Sequence, residues 1–199
     1  MIQVQMNSAA LQVSLGEILA QARRPRAMLY AAAGAVRKYL QVHFKDRDRT
    51  PNKLGGERTH FWLDVYRSTQ LGEVTDSYST VVIGDTRFAQ KVYGGRITAK
   101  NVRNLSIPLV PEAHGRRPAV FEQETGLKLF LIKSRGGIFL ATRAAESKFL
   151  EVVYLLRPFV DQDADPDALP PWEDVEQAAL AAAEAQLQTE IQRAQSHRN

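Results

Sequence analysis

Apolar positions recur at helical spacing between residues 26 and 44: Met28, Ala32, Ala35, Val36, Tyr39, Leu40 and His43, with Arg37, Lys38 and Gln41 between them. This pattern predicts a long amphipathic helix with one buried stripe. Pro25 stands at its start, where a missing N–H costs nothing. A shorter helix is predicted over residues 14–22, with Leu15, Ile18 and Leu19 on one side. Charges, Pro51 and the pair Gly55-Gly56 make residues 45–58 an exposed loop. Residues 60–66 read as a short helix that buries Phe61, Trp62 and Val65.

Strand signals then take over. Residues 73–76 and 79–83 form a predicted hairpin turning near Asp76-Ser77. One or two helical turns follow over residues 88–93, closed by Gly94-Gly95. Residues 96–125 hold one strand-like piece, 105–109, and much polar punctuation. A connection this long predicts an arm that is functional or is ordered by a partner. Residues 127–132 and 138–142 pair across Ser134-Arg135-Gly136-Gly137, and residues 149–156 return as a third strand. The run Val152-Val153-Tyr154-Leu155-Leu156 is continuously apolar, which predicts a central strand covered on both faces. After an acidic linker over 161–169, Pro170-Pro171 opens a last helix reaching about Arg193. Its seam of Val175, Ala179, Ala183, Leu187 and Ile191 permits close packing on the body or on another subunit. The expected fold is α+β: an antiparallel β-sheet packed by a long N-terminal helix and a C-terminal helix, with a long inserted arm. The expected division is a core over 1–160, arm 96–125 included, and an acidic linker with its helix over 161–199.

Composition narrows the class. The chain has 199 residues, 44% hydrophobic and 24% charged, which suits an ordinary folded domain with a real core. No run of 18 apolar residues predicts a membrane helix, and no secretory signal is recognisable. The absence of cysteine excludes disulfides and thiolate metal sites and is consistent with assembly in a reducing cytoplasm. The net charge of +4 conceals an asymmetry: residues 161–199 carry nine acidic and two basic residues, a balance of −7, leaving +11 on residues 1–160. Such a division suits a nearby polyanion, subunits matched head to tail, or plain solvation of two helices.

Catalytic patterns are scarce. None of His43, His60, His114 and His197 has the spacing of a zinc-binding helical pair. His43 continues an apolar stripe, and His60 stands beside Trp62 as a packing residue. Gly94-Gly95-Arg96 lacks the rest of a phosphate-binding loop, and no serine sits in a nucleophile elbow. Asp161, Asp163, Asp165 and Asp167 alternate like part of a calcium loop but lack its central glycine and terminal glutamate. Asp64, Asp76 and Asp85 could be assembled into a metal-dependent nuclease, although their spacing does not require it. The expectation is therefore no catalytic residue, no cofactor and no metal. Basic residues offer more: Lys45, Arg47, Arg49 and Lys53 in the first loop, and Arg96, Lys100, Arg103, Arg116 and Arg117 in the arm. Flexible basic loops contact phosphates or acidic partners without reading sequence. No aromatics interleave with them, which argues against a single-strand stacking platform.

Several short strings share an order and spacing. They are Val82-Ile83-Gly84, Phe88-Ala89 through Gly94-Gly95, Leu105-Ser106-Ile107-Pro108-Leu109 and Leu156-Arg157-Pro158-Phe159, together with residues 52–62. Over residues 27–160 this series resembles the virion-morphogenesis and tail-completion proteins that join head to tail in tailed phages. The 96–125 arm and the acidic link with its helix depart from that pattern. The resemblance implies no enzyme but a ring-forming adaptor, commonly six-fold. It would stand at the head–tail joint of the virion, assembled in the host cytoplasm. Its implied partners are the phage connector, the tail-terminator or tail-tube proteins and the genomic DNA in its lumen. The other class that the residues allow is a small basic DNA-binding or DNA-processing protein working through its loops.

Overall fold

The structure is a computed structural model that describes residues 25–50, 58–143 and 149–196. The helix predicted over 14–22 and the candidate Lys53 lie outside those residues. The fold is α+β, with antiparallel strands throughout. The chain divides into two compact units. One takes the chain up to Arg47, Trp62–Phe88 and the chain from Pro166; the other takes Asp48–Phe61 and Ala89–Asp165. This differs from the expected division at residue 160, because the C-terminal helix joins the unit of the N-terminal helix.

The first unit is built on α1 (Pro25–Arg47), which packs against α5 (Trp172–Ser196) and against the hairpin of β1 (Thr69–Val74) and β2 (Ser79–Ile83). Helix α1 buries Leu29, Ala32, Ala33, Val36, Leu40 and Phe44. The expected stripe is correct at Ala32, Val36 and Leu40, while Met28, Ala35, Tyr39 and His43 are only half-buried. The difference follows from packing on two elements, which widens the buried face beyond a single stripe. Alanines at the contact, Ala32 and Ala33 on α1 and Ala179 on α5, let the two backbones approach closely. Lys45 and Arg47 in the last turn of α1 complement its dipole.

Aromatic packing closes the far end of that unit. Phe44 is fully buried, with its ring stacked on Trp62 at 6.1 Å and edge-on to Phe88 at 5.4 Å. Helix α2 (Phe61–Ser68) buries Val65 completely, whereas Phe61 and Trp62 are only partly covered. Thr69 Oγ1 donates to the Val65 carbonyl at 2.8 Å, and Gln41 Nε2 donates to the carbonyls of Tyr66 and Thr69 at 3.3 and 3.1 Å. These bonds fix the corner between α2 and β1.

In the second unit, the segment expected as an arm is folded. Strand β3 (Gly95–Thr98) pairs with β8 (Phe159–Gln162), and β4 (Leu105–Pro108) pairs with β7 (Glu151–Arg157). The acidic linker predicted from residue 161 therefore begins as a strand. Beyond β7 the sheet continues through β6 (Gly137–Thr142) to β5 (Phe130–Ser134), in the order β4-β7-β6-β5. Strand β7 is interior, as its apolar run predicts, and Val153 and Tyr154 are fully buried. A register shift opposite Ala141 makes room for Val153 in the β7 strand. One face is covered by the 3₁₀ turn Pro111–Ala113 and by α4 (Pro118–Thr125), which begins at a proline and ends at Gly126 in the left-handed conformation. Tyr154 anchors that cover: its ring meets Phe121 edge-on at 6.0 Å and its hydroxyl donates to the Arg116 carbonyl at 3.0 Å.

Helix α3 (Phe88–Tyr93) leads into β3 through Gly94, whose N–H donates to the Gln90 carbonyl at 3.0 Å. Gly94 has φ +67, and a Cβ there would stand 2.6 Å from the Gln162 carbonyl oxygen and 2.7 Å from the Ala164 nitrogen. Only glycine fits this crossing. The Gly94-Gly95 pair thus closes a helix against the end of β8, as its sequence suggests.

Candidate functional site

The structure disperses the nine candidate cations and neutralises several. Arg47 stacks its guanidinium on Trp62 at 4.7 Å and pairs with Asp167 at 3.6 Å, so it acts within the first unit's core rim. Arg96 pairs with Asp161 through two contacts of 2.8 and 3.0 Å and lies over the Phe159 ring at 3.9 Å. Each charge stabilises the other: hydrogen bonding to Asp161 raises the guanidinium further, and Arg96 holds the carboxyl below the usual carboxylate range. Arg116 pairs with Glu124 and donates to the Glu112 carbonyl at 2.6 Å. These three are structural residues. Arg49 is exposed in the turn after α1. Lys45, Lys100, Arg103 and Arg117 are exposed and make no ion pair among the described residues.

Strand register explains why Lys100 and Arg103 stand out. Thr98 faces Phe159 and Leu105 faces Arg157, so residues 99–104 all lie opposite the single residue Pro158. Proline has no N–H to give to a ladder, and the pairing breaks there. One bond, from Ala99 N–H to the Pro158 carbonyl at 3.3 Å, bridges the gap. The intervening residues are extruded as a loop carrying Lys100, Asn101, Val102 and Arg103, all exposed. Arg157, at the end of β7, is also exposed and free of any ion pair among the described residues. Its sequence position before Pro158 was the available signal; only the register shows that it faces this loop.

The carboxylates tell a different story. Asp64 and Asp85 do converge, but on Arg87, whose Nη2 reaches Asp64 at 2.9 Å and Asp85 at 2.5 Å. The guanidinium stands where a nuclease would hold its cation, and it keeps Asp85 below the usual range. Asp76 sits in the β1–β2 turn. Among the described residues no group of three or more His, Asp or Glu side chains is placed to hold a metal ion. Of the histidines, the His43 ring lies edge-on to Phe44 at 5.6 Å, with Nε2 3.0 Å from the Asp167 carbonyl. His60, at φ +53, pairs Nδ1 with Asp48 at 2.8 Å. The buried Nδ1 of His114 has no hydrogen-bond partner, and His197 is outside the described residues.

No helix among the described residues is long and apolar enough to cross a membrane. The chain matches no protein-family model, no curated protein and no solved structure.

Proposed function

We propose that this chain is a structural adaptor of a tailed phage or prophage, a neck or tail-completion protein that forms a ring, six-fold by preference, around the DNA channel. Its neighbours would be the connector and the tail-terminator or tail-tube proteins. The observation that carries the reading is apolar surface on the second unit left without cover among the described residues. Strand β5 is a free sheet edge with Phe130 41% and Leu131 55% exposed, and Tyr93, Leu109, Phe149, Leu150 and Phe159 are exposed on the same unit. A long-lived monomer avoids an apolar strand edge because it templates pairing with other chains; an assembly protein keeps one for its neighbours. The resemblance of residues 27–160 to the head–tail joining proteins supports this reading. So do the carboxylates, which end on arginines rather than on a reaction centre.

Native mass spectrometry and light scattering test the ring, and protein analysis of purified particles tests the location. A discrete ring that is present in virions is expected. A monomer at all concentrations that is also absent from particles would overturn the proposal. A second reading, DNA binding by a small basic protein, is favoured by the exposed and unneutralised Lys45, Lys100, Arg103 and Arg117. It predicts salt-sensitive binding to duplex DNA by the isolated chain, lost on K100E/R103E.

A further inference from the structure

We infer that the subunits of this assembly join head to tail, the extruded 99–104 loop of one copy docking on the outer face of α5 of the next. The inference rests on the ring reading above and names the contact that would close it.

The loop offers an unusual combination. Lys100 and Arg103 flank Val102, which is 65% exposed, and Arg157 adds a third cation from the facing strand. A phosphate backbone would use the cations but would gain nothing from an aliphatic tip. A protein surface that alternates carboxylates with apolar side chains would use both. Helix α5 presents such a surface on the side turned away from its packing seam. Trp172, Glu176 and Leu180 follow one another at four-residue spacing along one side of the helix, with Glu173 and Glu184 beside them. All five are exposed, Trp172 at 47% and Leu180 at 46%. None of the three glutamates makes an ion pair among the described residues. Asp174, by contrast, is turned to the Tyr39 hydroxyl of α1. The two surfaces complement one another in sign and in kind: an aliphatic tip between cations, and an indole and a leucine between carboxylates. They belong to different surfaces of one subunit, which is what a heterologous, ring-closing contact requires. The opposite charge balances of residues 1–160 and 161–199 acquire a local explanation in the same way.

The test uses the full chain in two variants. K100E/R103E puts acid on both surfaces, and E173K/E176K puts base on both. All four positions are exposed, so circular dichroism should match the wild type. Each variant alone should dissociate, its apparent subunit affinity falling about tenfold or more, because like charges then face each other across the contact. An equimolar mixture should reassemble, since every junction between unlike variants restores opposite charges. V102D alone should also weaken assembly while leaving duplex DNA binding unchanged. If K100E/R103E assembles as the wild type does, or if the mixture stays dissociated, the contact is wrong while the ring reading stands. Loss of DNA binding by K100E/R103E with assembly intact would assign the loop to phosphates instead. A wild-type chain that is always monomeric would overturn the ring and this contact together.

Discussion

Tyr154 links the sheet of the second unit to the segment that covers it, and its hydroxyl can be removed without disturbing the ring. The side chain is fully buried, and its phenol donates to the Arg116 carbonyl at 3.0 Å. Tyr154→Phe keeps the edge-on contact with Phe121 and leaves that carbonyl short of a donor, a cost of about 1–2 kcal/mol. Tyr154→Ala also empties a fully packed position, a loss of about 3–5 kcal/mol for an aromatic. Urea unfolding at pH 7, followed by near-ultraviolet and far-ultraviolet circular dichroism, should rank wild type, Y154F and Y154A in that order. Alkaline pH supplies a second, independent readout. Burial pushes the phenol of Tyr154 up, against a smaller opposing pull from Arg116. The folded value then exceeds the unfolded value of about 10. The stabilisation is fully present below that unfolded value and is lost as pH rises through the folded one, because the unfolded chain can release a proton that the folded chain retains. Y154F has no such proton, so its deficit should shrink as the pH passes about 10. A Y154F variant as stable as wild type at pH 7, or a deficit that grows above that pH, would refute this account of the anchor.

Other consequences are as direct. Phe44→Ala removes the ring on which Trp62 and Phe88 converge and should cost about 3–5 kcal/mol, read as a lower melting temperature. Gly94→Ala and Gly126→Ala both place a Cβ on a left-handed residue, but only Gly94 meets backbone atoms within 3 Å while Gly126 faces open space. G126A should therefore lose only the conformational cost of about 1–2 kcal/mol. G94A should lose clearly more, and denaturant unfolding compares the two. Carboxylate NMR should find Asp161 titrating below the ordinary carboxylate range, and Arg96→Ala should bring its midpoint up; an unmoved midpoint would contradict the pairing.

The two long helices and the β1–β2 and β5–β6 hairpins were readable from the chain because their signals are local. Helical spacing is sustained over α1 and α5, and short turns join the paired strands. Strands β3, β4 and β8 are four residues each, too short to show alternation, and two of their pairings join residues far apart, such as Gly95 with Gln162. That is why a folded ribbon reads as an arm and the start of β8 reads as a linker. The candidate site failed for a related reason. Counting basic residues does not separate a free cation from a neutralised one. Arg96 is neutralised by Asp161, 65 positions away, while Lys100, four residues later, is not. Arg157 went unmarked because its importance comes from what lies opposite it in the ladder.

The division of the chain into interleaved units bears on how it is synthesised. Helix α1 is complete at Arg47, but α5, which covers part of its buried face, begins at Trp172, about 125 residues later. At ribosomal rates of about 5–20 residues per second that interval is roughly 6–25 s. The second unit is finished at Asp165, so it can fold on the ribosome while the first still waits for its last helix. Leu29, Ala32 and Val36 then remain without their full cover during translation. A nascent chain stalled before α5 should therefore bind chaperones through α1, and release should coincide with the emergence of residues 172–196.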